Sequence, residues 1–192
     1  MIKRNVHKNE LKILDVPSKC GILTKEDLAV AELPEATSLH DKLATQEFGT
    51  IEVTTAFCKR APIALQLTSR LAETVFSEAL VRAEELDAHT KTTGKPVGPL
   101  YGIPISLKET FNINDVPTSL GFASFLGHEA VTQNSVLVDI IMETGVILYV
   151  KTNMPQTIPT DSHNNVFGRV QNPHRNTTPS RPAAAVETKQ LW

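Results

Sequence analysis

Apolar positions recur along this chain with two different periods, and each change of period marks an element. Between Phe76 and His89, the residues Phe76, Leu80, Ala83 and Leu86 fall on one side of a helix. Glu78, Arg82, Glu85 and Asp87 fall mostly on the other, which predicts a helix over 77–89 that Gly94 brings to an end. Upstream, Ile51, Val53, Ala56 and Phe57 show mixed helical spacing from Thr50 to Arg60. Pro62 interrupts before Ile63-Ala64-Leu65 resumes the pattern, so a kink or break is expected there. Thr24, standing before Lys25-Glu26-Asp27-Leu28, supplies an N-cap and an acidic first turn to a short helix limited by Pro34. Thr37 and Ser38 begin another.

Downstream the pattern changes. Tyr101 to Leu107 alternates poorly and reads as a fully buried strand, the form expected when helices cover both faces. Asn134 or Ser135 can cap a helix whose stripe is Val136, Leu137, Ile140 and Ile141. Gly145 then supplies a left-handed stop before the β-rich run Val146-Ile147-Leu148-Tyr149-Val150. A strand, a crossover helix and a strand in this order imply two parallel strands with a right-handed connection, hence an α/β fold.

Composition narrows the function classes. With 192 residues, 41% of them hydrophobic and 21% charged, the chain can bury one globular core. A formal net charge of −2, one Trp and two Tyr provide neither a basic field nor a stacking platform, which argues against nucleic acid as a partner. Cys20 and Cys58 are too few for a disulfide framework and are expected as free thiols of a reducing compartment. The basic start Met1-Ile2-Lys3-Arg4 has no apolar core behind it. No run reaches the roughly 18 apolar residues of a spanning helix, so no membrane partner and a cytoplasmic location are expected. His40, His89, His128, His163 and His174 lack ligand spacing, and neither metal nor cofactor is expected.

The chemistry concentrates at Gly98-Pro99-Leu100-Tyr101-Gly102-Ile103-Pro104-Ile105-Ser106-Leu107-Lys108-Glu109, where an apolar run ends in a lysine. A desolvated amine at the inner end of a strand is a competent general base, and snorkelling to solvent is the alternative for such a side chain. Ser106 shares a strand face with Lys108, yet a serine satisfied by backbone is the simpler account of it.

This segment resembles the signature of the amidase signature family, Gly-Pro-Leu-x-Gly-(Ile/Leu/Val)-Pro-(x)3-Lys-(Asp/Glu). The likeness continues through Thr118-Ser119-Leu120-Gly121, Tyr149-Val150-Lys151-Thr152-Asn153-Met154-Pro155-Gln156, Asn164-Asn165-Val166-Phe167-Gly168 and Gln171-Asn172-Pro173-His174. It covers residues 17–175, is nearest to a fungal acetamidase-like branch, and leaves 1–16 as an N-terminal extension and 176–192 as a non-matching tail.

The resemblance implies the N-terminal portion of a mixed sheet covered by helices, truncated relative to the family. It also implies hydrolysis of carbon–nitrogen bonds in small-molecule amides through a Ser-Ser-Lys triad with Lys108 as its base. Met154, Thr160, Asp161 and Ser162 match a region that lines the substrate cleft; their alternative role is turn chemistry.

The bridging serine should follow Thr178-Pro179 within Gly-Gly-Ser-Ser-Gly-Gly, but residues 180–185 read Ser180-Arg181-Pro182-Ala183-Ala184-Ala185. A catalytically incomplete chain is therefore expected, arising from a frameshift, a retained intron or a misplaced splice junction. It would associate through an exposed sheet edge or form a homo-oligomer. Two rivals are a non-catalytic interaction module derived from an amidase and a small complete enzyme using Ser106 or Ser180 with Lys108.

Overall fold

A computed structural model describes residues 13–156, 163–173 and 175–179. The chain enters through a 3-10 turn at Ile13–Asp15 and α1 (Val16–Lys19), then α2 (Lys25–Ala31), α3 (Ala36–Ala44) and α4 (Thr50–Thr68). β1 (Leu71–Thr74) and α5 (Phe76–Thr93) precede β2 (Pro104–Lys108), α6 (Val136–Glu143) and β3 (Ile147–Thr152). Two short ribbons close the described part: β4 (His163–Asn164) with β5 (Gly168–Arg169), and β6 (Gln171–Asn172) with β7 (Arg175–Pro179).

The main sheet has the order β1-β3-β2. β2 and β3 run parallel, joined by the crossover helix α6, while β1 pairs antiparallel to β3. The fold is thus α/β with a mixed sheet. Its central strand β3 is buried along its whole length. Ile147 and Tyr149 join the large core built with Val53, Phe57, Ala79, Ala83 and Leu86 of α4 and α5, whereas Leu148 packs with Leu107 and Val138 of α6. One strand thereby serves two separate clusters, and Val150 joins the first beyond a register shift in the β2–β3 pairing.

Local chemistry explains the helix ends. Thr24 Oγ1 accepts from Asp27 N at 3.1 Å and Asp27 Oδ2 accepts from Thr24 N at 2.9 Å, a reciprocal capping box. Gly94 ends α5 at φ 69° and Gly145 follows α6 at φ 89°, as their positions in the sequence imply.

Several expectations are corrected. α4 runs unbroken through Pro62: one helical hydrogen bond is lost there, but Ala61 and Ile63 are both buried and hold the helix against its neighbours. The helix after Pro34 begins at Ala36, with Glu35 as its N-cap residue, rather than at Thr37 or Ser38. The buried face of α5 is Ala79, Ala83, Leu86 and Thr90; Phe76 and Leu80 lie half-buried at its margin.

The strand expected from Tyr101 starts only at Pro104. Tyr101 and Gly102 form a turn, with Gly102 at φ 72°, and β2 is a partly exposed edge among the described strands rather than a fully buried one. Three of the four stripe residues on α6 point the other way: Val136, Leu137 and Ile140 are 75, 47 and 54% exposed, while Ile141 packs with Met142 against the cluster that holds the buried Val138.

Candidate active site

Parallel strands joined by a crossover helix leave their carboxyl ends free of returning chain, which is where open α/β sheets collect ligands. Here that end gathers Lys108 of β2 and Glu109 just after it with Lys151 and Thr152 of β3 and Asn153 just after it. Lys108 is half-buried, in register with Thr152. Its carbonyl accepts from Phe111 N at 3.0 Å, so the chain turns back directly after it, and Glu109 N donates to Thr152 O at 3.0 Å.

The surrounding segments are far apart in sequence and held together by buried polar side chains. Glu109 Oε1 accepts from Ser119 N at 2.7 Å and Ser119 Oγ at 2.6 Å, and Ser119 Oγ accepts in turn from Gly121 N at 3.2 Å. Lys151 Nζ donates to Pro117 O at 3.0 Å and Thr118 Oγ1 at 2.6 Å. Asn164 Nδ2 donates to Asn153 Oδ1 and to Met154 O, while its Oδ1 accepts from Val166 N and Phe167 N at 2.9 and 2.7 Å. Asn153 N donates to Arg70 O at 2.7 Å, which ties this end of β3 to the entry into β1.

Charge is concentrated and dry at this end of the sheet. Glu109 and Lys151 are both 0% exposed. Burial pulls the Lys151 ammonium below the usual lysine range, against the opposing pull of Glu109 and Glu73. Burial likewise raises the Glu73 carboxyl, with Lys151 drawing it down and Glu109 pushing it up. Among the described residues no group of three or more His, Cys, Asp or Glu could hold a metal ion, and no helix is long and apolar enough to cross a membrane.

Of the residues singled out by sequence, Lys108 stands at this strand end. Met154 is buried two residues beyond β3, its carbonyl held by Asn164. Thr160, Asp161, Ser162 and Ser180 lie outside the described residues. Sequence reasoning passed over Glu109 and Lys151. The available signal was a lone charge inside or abutting an apolar run, since a charged residue there is buried only when it has partners.

A family model described as Amidase matches residues 52–180. A protein named amidase from Gibberella moniliformis is 43% identical over 159 residues, covering 82% of this chain and 30% of its own length. An acetamidase from Emericella nidulans is 42% identical over 165 residues, again with 30% of its length covered. Among solved structures, a fatty acid amide hydrolase superposes with a TM-score of 0.82 at 37% identity, over 93% of this chain and 31% of that one. A bacterial aryl acylamidase of the amidase signature family, at 18% identity and a TM-score of 0.71, shares the fold. The chain thus spans about 30% of the length of the curated relatives it matches. With the signature lysine at the strand end where ligands collect and the family pattern running through most of the described residues, the chain belongs to the amidase family.

Proposed function

We propose that this chain carries the base-bearing part of an amidase active site, with Lys108 as the proton acceptor in hydrolysis of a carboxylic amide. The observation that supports this most directly is the place of Lys108, closing β2 at the carboxyl end of the parallel pair within the signature segment. In the Ser-Ser-Lys scheme the lysine takes a proton through a bridging serine, which deprotonates the nucleophilic serine. That serine attacks the carbonyl, backbone N–H groups hold the oxyanion, the amine leaves, and water then releases the acid.

Residues 180–185 lack the Gly-Gly-Ser-Ser-Gly-Gly pattern, so within this scheme these residues supply the base without the bridging serine. Met154, Thr160, Asp161 and Ser162 are assigned to the substrate cleft, and the location to the cytoplasm. Relatives named acetamidase and fatty acid amide hydrolase support small aliphatic and fatty amides as the substrate classes to try.

Ammonia release from acetamide, benzamide and oleamide tests the reading. The chain alone should stay at the buffer level, and any form of it that includes the glycine–serine segment should lose turnover on Lys108→Ala. Turnover that survives Lys108→Ala would sink it. Sequencing the transcript across codons 170 to 192 shows which form the cell makes.

The exposed apolar side of α6 favours a second reading, a non-catalytic module that associates through Val136, Leu137 and Ile140 and the edge of β2 that is unpaired among the described strands. Sedimentation should then show concentration-dependent association that Ile140→Glu reduces. A monodisperse monomer at all concentrations would overturn it.

A further inference from the structure

Two fully buried charges, one directly after β2 and one on β3, grip one turn. Glu109 holds Ser119 through its N–H and its hydroxyl, and Lys151 holds Pro117 and Thr118. Gln156 adds a third hold, its Nε2 donating to Gly121 O at 2.7 Å. Within the turn Leu120 has φ 53° and Gly121 φ 72°. A left-handed leucine is strained, and such a residue persists where its surroundings over-determine it, as they do at binding and catalytic sites.

A neutral side chain would fix a turn at less desolvation cost than a carboxylate, and Glu109 Oε2 has no hydrogen-bond partner among the described residues. The charge faces the buried Lys151 ammonium, whose charged form it favours, as well as holding Ser119. Glu109 is the residue next to Lys108; its own N–H is bonded to β3 and its carboxylate is bonded to the turn, so it pins the point at which the Lys108 strand ends. The charged groups around this point are Glu73 on β1, Glu109 and Lys108 at the end of β2, and Lys151 on β3.

We propose that Glu109 is a positioning residue for Lys108, with Lys151 as its counter-grip: together they lock the Pro117–Gly121 turn against the strand ends and set the surroundings of the Lys108 amine. The role given to Lys108 rests on the function proposed above, but the test reads the amine itself and needs no hydrolysis.

Acetylation of Lys108 by acetic anhydride is followed over a range of pH on the purified folded chain, with peptide mass spectrometry as the readout. Glu109→Gln removes the negative charge at the residue next to Lys108 and should change the rate of Lys108 labelling about twofold or more, with Glu109→Asp restoring it. Ser119→Ala cuts the grip from the turn side while keeping the charge, and should change the labelling rate about twofold or more. This second variant decides the matter if Glu109→Gln does not fold. A melting temperature that falls while the labelling profile of Lys108 stays unchanged in the folded variants would overturn the proposal and leave Glu109 a structural clamp. A shifted profile beside amide turnover that survives Lys108→Ala would leave the positioning intact and remove the assignment of the base.

Discussion

The Asp87 carboxylate caps a helix other than its own. Its Oδ1 accepts from Thr50 N at 3.1 Å and from Thr50 Oγ1 at 2.7 Å, at the start of α4, where Gly49 offers no side chain to do the same. Tyr101 OH donates to the same oxygen at 3.2 Å, so one side chain on α5 fixes α4 and the turn that leads into β2. Asp87→Ala should destabilise the chain by about 2 kcal/mol, the loss of a cap together with a tertiary hydrogen bond. Urea denaturation measures it. Tyr101→Phe should cost about 1 kcal/mol, and equal stability of Asp87→Ala and the unaltered chain would refute the account.

Gly98 is required by space. A Cβ there would lie 2.5 Å from the Thr144 carbonyl oxygen and 2.6 Å from its carbon, backbone atoms that close the C-terminus of α6. The same carbonyl accepts from Leu100 N at 2.9 Å, and two residues further Gly102 N donates to Gly145 O at 2.8 Å. The segment leading into β2 is therefore laced against the turn leading into β3, which sets the starting points of the two parallel strands whose far ends carry Lys108 and Lys151. Gly98→Ala must push these apart and should cost about 2 kcal/mol or more in a denaturation measurement.

These two relationships show what a sequence can and cannot disclose. Periodicity revealed α5, and the succession of strand, helix and strand revealed the parallel pair, because each is written in neighbouring residues and closed by Gly94 or Gly145. The α6 stripe was equally legible, but a period reports that apolar residues share a side and not what covers them, and Val136, Leu137 and Ile140 face outward. β1 escaped notice because Leu71–Thr74 is short and takes its form from pairing with β3. Asp87 looked like one more residue on a polar face; its partners lie 37 and 14 positions away. At the candidate site, the motif singles out Lys108 as a candidate, whereas Glu109 and Lys151 needed the folded structure to show that their side chains are dry and directed at one turn.

The capping box of α2 makes an acid-sensitive prediction. Burial raises the Asp27 carboxyl, but hydrogen bonds from Lys59 Nζ, at 3.0 and 2.8 Å, and from Thr24 outweigh it and hold the group below the usual aspartate range. A carboxyl lowered on folding contributes stability that is fully present above its unfolded value and is lost as pH falls through its folded value. Asp27→Asn keeps an oxygen able to accept from Thr24 N but gives up the charge. Lys59 is itself partly solvated, so the substitution should cost only about 1 kcal/mol near neutral pH. That difference should begin to shrink as the pH falls into the usual aspartate range and approach zero only below the lowered value of the folded carboxyl, where it takes up its proton. Urea denaturation of both proteins across the acid range measures it, and a difference independent of pH would show that the α2 cap works through geometry alone.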